Sequence, residues 1–143
     1  MFGLKKIYVV LIIVGLLLAA CGEQGAGKAQ EVKITLTEFG IQSSVTNFKV
    51  DVPYHFVVTN AGSVEHEIMV MPPLEEDSMG MAMDMGELDE TALVMIEASE
   101  LTPGKTASFD YTFTETASAG SLELACHTPG HYEAGMNLPI KVE

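Results

Sequence analysis

The chain contains no arginine, and no lysine lies between Lys49 and Lys105. Seven lysines stand against 20 acidic residues in 143, a formal charge of −13. A polyanion held by phosphate contacts needs clustered Lys and Arg, so nucleic acid is excluded as a partner. Cysteine is equally scarce, at two. The chain has no long membrane-spanning run either: the longest apolar stretch, Ile7 to Leu18, falls short of the about 20 residues a crossing helix requires. What is present argues for a packed domain. Nearly half the residues are apolar (48%), spread along the whole length, and Gly and Pro together make only 19, a composition unlike that of a disordered chain.

Residues 1–20 have the form of an export signal: Lys5 and Lys6, the apolar run, then Ala19, Ala20 and Cys21. Leu18-Ala19-Ala20-Cys21 resembles the lipobox of bacterial lipoproteins. That resemblance implies cleavage before Cys21, a lipid on that cysteine, and an extracytoplasmic location on a bacterial membrane. The mature chain would carry 5 basic and 20 acidic residues, a formal −15. Residues 21–30, with Gly22, Gly25 and Gly27, read as a flexible tether. Anionic headgroups repel so acidic a domain, so the acyl chains must do the anchoring.

Lipidating Cys21 leaves Cys126 as the one thiol of an exported protein, and no internal disulfide is available. A lone thiol in an oxidising compartment is a liability unless buried or held by a metal.

The rest of the chain, residues 31–143, shows short alternating runs: Val32, Ile34, Leu36; Tyr54, Phe56, Val58; His66, Ile68, Val70; Phe109, Tyr111, Phe113; Leu122, Leu124, Cys126; and Met136, Leu138, Ile140, Val142. Turn signals separate them at Asn60-Ala61-Gly62, Pro72-Pro73 and Pro103-Gly104. Many short strands without an internal repeat predict an all-β Greek-key sandwich or barrel. An acidic, Met-rich insertion occupies about 74–100. Within it, 87–101 reads either as a short helix or as a strand through Leu93 to Ile96.

Residues two apart on a strand face the same way. His66, Cys126 and Met136 therefore point inward with their apolar neighbours, whereas His55 and His127 have the opposite parity and stay outside the site. In the stretch CHTPGHYEAGM, His131 follows Cys126 by five and Met136 follows His131 by five. Pro129-Gly130 and Gly135 let that loop curl so that thiolate, imidazole and thioether converge. A thiolate with two imidazoles and a weak axial thioether suits copper cycling between Cu(I) and Cu(II). Zinc takes several Cys or His ligands in a tetrahedron.

Over residues 31–143 the sequence resembles the cupredoxins, the type 1 (blue) copper proteins that include plastocyanin, azurin and auracyanin. The segments carrying the likeness are VVTNAGSVEHEIMV at 57–70, LTPGKTASFDYTF at 101–113 and CHTPGHYEAGM at 126–136. The resemblance implies a cupredoxin fold with one copper held by His66, Cys126, His131 and Met136. It also implies electron exchange through the edge of His131, inside an apolar patch to which Pro129, Gly130, Gly135 and Leu138 contribute. Glu67 departs from the pattern, since many members carry Asn or Ser there. Tyr132-Glu133-Ala134 reads as a spacer. Four protein ligands leave no position for a substrate, so the expectation is a monomeric electron carrier, not an enzyme, that docks redox protein partners near His131. A second reading is copper handling, because Met79, Met81, Met83 and Met85 lie in one acidic segment and thioethers favour Cu(I). A cupredoxin subunit of a larger enzyme is the third. A binuclear centre would need a second Cys in the loop.

Overall fold

The computed structural model describes residues 28–74 and 85–143. Nine strands run through them: β1 Gln30–Leu36, β2 Ile41–Ser43, β3 Asn47–Phe48, β4 Pro53–Asn60, β5 Ile68–Met71, β6 Val94–Ile96, β7 Thr106–Thr112, β8 Ala117–Ala125 and β9 Asn137–Val142. One short helix, α1 (Met85–Thr91), precedes β6. The strands form two sheets, ordered β2-β1-β4-β7 and β3-β9-β8-β5-β6. β1 pairs parallel with β4 and β3 parallel with β9, while the other pairings are antiparallel. The expected all-β sandwich is what forms.

The alternation seen in the sequence is the cause of the layering. Along β4, Tyr54, Phe56, Val58 and Asn60 are buried and the residues between them half-buried. Val32, Ile34 and Leu36 of β1 face the same interior. From the second sheet Ile68, Val70, Leu124, Ile140 and Val142 meet them in one core. Burying a side chain of this size contributes roughly 1.5–3 kcal/mol, and the continuity of the set explains why so acidic a chain folds. Phe48 of β3 is fully buried and touches Tyr54, Phe56 and Phe113, with ring centroids 5.0–5.6 Å away.

The ambiguous stretch before β7 resolves into both alternatives in turn: α1 over Met85–Thr91, then β6 over Val94–Ile96. Met69, Met71 and Leu88 form a second apolar cluster on the outer face of the five-stranded sheet, joined by Leu74, Ala92 and Met95. Residues 1–20, Cys21 and Met79, Met81 and Met83 lie outside the described residues, as does the side chain of Met85.

The chain passes from one sheet to the other between β4 and β5, and it turns back within the second sheet between β8 and β9. These two connections, residues 61–67 and 126–136, supply the site.

Candidate metal centre

The loop after β4 is fixed by Asn60, which is wholly buried. Its side-chain amide donates to the carbonyls of Val64 (2.7 Å) and Leu101 (2.6 Å), and its Oδ1 accepts the N–H of Gly62 at 2.8 Å. The N–H of His66 donates to the Leu101 carbonyl at 3.2 Å. His66 thus lies two residues ahead of β5, held by these bonds and not by a strand ladder as its parity suggested, yet its ring is fully buried.

The second loop closes on itself. The His131 N–H donates to Thr128 O at 2.9 Å across Pro129-Gly130, with Gly130 at φ 83°, a type II turn that calls for glycine at its third position. The Met136 N–H donates to His131 O at 3.0 Å, and the Cys126 N–H donates to Met136 O at 3.1 Å. Gly135, at φ 92°, permits the return. Cys126 and Met136 are both fully buried in the core cluster, one at each end of the loop.

Three donor atoms meet where the loops touch. His66 Nδ1 and His131 Nδ1 are 3.2 Å apart, Cys126 Sγ is 3.5 Å from His131 Nδ1 and 3.9 Å from His66 Nδ1. A point equidistant from atoms with these three separations lies about 2.1 Å from each, the length of a metal–imidazole bond. Among the described residues this is the one group of His, Cys, Asp and Glu side chains gathered tightly enough to hold an ion. Two imidazole nitrogens and a sulfur around a common centre, with a buried thioether residue at the end of the same loop, are the donor set of a copper site.

Burial pushes the Cys126 thiol up from its ordinary range. The Thr128 hydroxyl, whose oxygen is 3.3 Å from the sulfur, and the backbone N–H groups of Glu67 and Thr128 oppose that rise. Burial, with His131 beside it, pulls His66 below the usual imidazole value. Burial thus favours the uncharged forms of both the Cys126 thiol and the His66 imidazole, and a metal bound there displaces the thiol proton.

The residues flanking the donors add to the expectations and correct one of them. His127 stays out of the donor cluster, as its parity implied, and is itself buried: it is 7% exposed and stacks on Tyr132, with ring centroids 4.4 Å apart and planes 19° apart. Tyr132 is no mere spacer, because its hydroxyl donates to Glu123 Oε1 at 2.7 Å and accepts the Leu74 N–H at 3.3 Å. Leu138 is half-buried and packs against the core, and exposed Phe39, from the β1–β2 loop, stands beside His131. His55 is on the outside, paired with Asp110 at 2.7 Å. Glu67 is buried and its Oε1 accepts the His127 N–H at 3.0 Å.

Two sheets enclosing one core, with a His-Cys-His cluster at the end where β4–β5 and β8–β9 connect, define the class: the chain has the cupredoxin fold. Auracyanin B superposes with a TM-score of 0.60 over 80% of this chain and 89% of its own, at 17% identity. The reduced auracyanin of Roseiflexus castenholzii gives 0.57 over 82% and 99%, at 16% identity. By sequence, the chain is similar to the copper-resistant cuproprotein CopI of Pseudomonas aeruginosa, 26% identical over 140 aligned positions that cover 79% of this chain and 76% of that one. The CopI of Vibrio cholerae is 33% identical over 90 positions, 61% of this chain, which spans about half (48%) of that relative. No family model matches.

Proposed function

We propose that the protein is a membrane-anchored blue copper protein that carries single electrons. Its one copper is held by His66, Cys126 and His131, with Met136 as the weak axial ligand. The observation that carries this reading is the triangle of donor atoms, whose centre stands at bonding distance from all three. Four protein donors fill the coordination sphere, so no position is left for a substrate. When bound, the metal supplies a one-electron couple. The chain supplies a pocket tied by backbone bonds on both sides, which resists rearrangement as the charge changes.

The docking face belongs to His131. Phe39 and Val64, 58% and 44% exposed, are among the largest apolar side chains in solvent, and Phe39 touches the His131 ring. Exposed Glu38, Glu65 and Glu133 flank them in sequence, which favours redox proteins with a basic rim and a salt-dependent encounter. Attachment to the membrane rests on Cys21. Cys21→Ala should release the protein from the membrane fraction or leave it unprocessed, and an unchanged membrane fraction would remove the lipid anchor.

Copper tolerance is the second reading, favoured by the names of the two CopI relatives and by the methionines of 79–85. Counting Cu(I) under reducing conditions separates the two. A carrier takes one equivalent, unchanged when Met79, Met81, Met83 and Met85 are all replaced by Leu. A second equivalent lost on that replacement would make the protein a copper handler.

A further inference from the structure

Thr128 holds two of the donor residues at once. Its side-chain oxygen lies 3.3 Å from Cys126 Sγ, within hydrogen-bonding range of a sulfur, and its carbonyl accepts the His131 N–H at 2.9 Å. Both contacts follow from one piece of backbone: β8 ends at Ala125, and Thr128 opens the Pro129-Gly130 turn that carries the chain from Cys126 to His131. The turn bond fixes the Thr128 backbone, and a β-branched side chain then has few rotamers to choose from. The hydroxyl is thereby aimed at the sulfur, its one hydrogen-bond partner among the described residues.

Metal binding changes what that contact is. A free thiol has a proton to give and the hydroxyl oxygen can accept it, but a metal-bound thiolate has none. Thr128 must then be the donor. The other side-chain atoms near Cys126 Sγ are His66 Nδ1 and His131 Nδ1, which are themselves the other two donors of the triangle, so the hydroxyl is the one side-chain group left to bond the sulfur from outside. A hydrogen bond to an anion strengthens with the charge on the acceptor. Cupric copper draws charge out of its thiolate, and cuprous copper leaves it there. The O–H···S bond is therefore stronger in the reduced protein, and hydrogen bonding around a copper-bound sulfur sets the potential in this way.

We propose that the Thr128 hydroxyl is the side-chain hydrogen-bond donor to the Cys126 thiolate and, by favouring cuprous over cupric copper, raises the reduction potential of the site. The inference deepens the copper reading of the site and rests on it. One electron enters from a redox partner and no bond to hydrogen breaks: the hydroxyl keeps its proton in both states. Thr128 is a positioning and tuning residue that acts through Cys126.

The test compares wild type, Thr128→Val and Thr128→Ser. Val keeps the shape and loses the hydroxyl, whereas Ser keeps the hydroxyl and loses the methyl. Thr128→Val should stay blue at one copper per chain while its Cu(II)-to-Cu(I) affinity ratio rises about tenfold, a fall of about 59 mV for a one-electron couple. Thr128→Ser should restore most of that fall. An unchanged or raised potential in Thr128→Val overturns the proposal, and so does a Thr128→Ser potential as low as that of Thr128→Val. Cobalt(II) gives a readout that does not need copper. With the sulfur no longer stabilised, its thiolate-to-cobalt charge-transfer band should move to longer wavelength in Thr128→Val and stay in place in Thr128→Ser. One band position shared by all three proteins overturns the hydrogen bond. A wild type that binds no blue copper would instead refute the copper reading, and the cobalt bands would still judge the hydroxyl.

Discussion

Phe39 stands edge-on to His131, with ring centroids 5.6 Å apart and planes at 82°. The histidine is 9% exposed and the phenylalanine 58%, so an aromatic edge from the β1–β2 loop screens the donor through which electrons are proposed to pass. Phe39→Ala should leave copper loading and colour unchanged, since the ring makes no bond to a donor atom. It should speed electron exchange with a small inorganic oxidant several-fold, read by stopped flow. An unchanged rate would mean that electrons leave elsewhere.

Gly62 marks how closely the first loop fits the pocket. A Cβ there would meet His66 Nε2 at 3.0 Å and Asn60 Oδ1 at 3.2 Å, and both atoms belong to the structure that aims His66. Gly62→Ala should therefore displace the imidazole at a cost of about 1–2 kcal/mol. Copper affinity should fall about tenfold, the equivalent of 1.4 kcal/mol. Competition with a chelator measures it, and wild-type affinity would show that the loop yields without moving His66.

Tyr132 predicts an alkaline weakness. Its phenol is pushed up from 10.0 to about 12, first by burial and then by the bond to Glu123. A raised folded-state value means that the folded protein holds the proton more tightly than the unfolded chain. The stability linked to it is complete below pH 10 and lost as pH rises from 10 to about 12. Denaturation at pH 9.5 and 11.5 should show that loss in wild type and less of it in Tyr132→Phe. Equal losses would place the sensitivity at another group.

The axial position should tune the site more than hold it. Met136→Leu is expected to retain copper and raise the potential, and Met136→Gln to lower it. One shared potential across the three proteins would take Met136 out of the coordination sphere.

The sequence was legible where a pattern spans enough residues to show a period. β1, β4, β7, β8 and β9 each belong to a run of three or four apolar residues spaced two apart, and the sandwich follows from them. β2 and β3 have three and two residues, too few for a period, so the burial of Ile41 and Phe48 had no local signal. The donor residues stood out because Cys126, His131 and Met136 share one loop and His66 precedes an apolar run. The surroundings of the site did not. Parity sends His127 away from Cys126, which holds, but the outer face there is roofed by Tyr132, a residue of the ligand loop itself. The match between Tyr132 and Glu123 exists only once β8 and the loop are folded together. Phe39, alone in a turn, has no periodicity, and only the fold brings it to His131.

The central claim is that His66, Cys126 and His131 form a type 1 copper pocket, and adding Cu(II) to the metal-free domain tests it most directly. The visible and paramagnetic resonance spectra should show one copper per chain, an intense blue thiolate band and the narrow splitting of a copper–thiolate bond, all absent from Cys126→Ser. A colourless wild type, or a serine variant that remains blue, would contradict it.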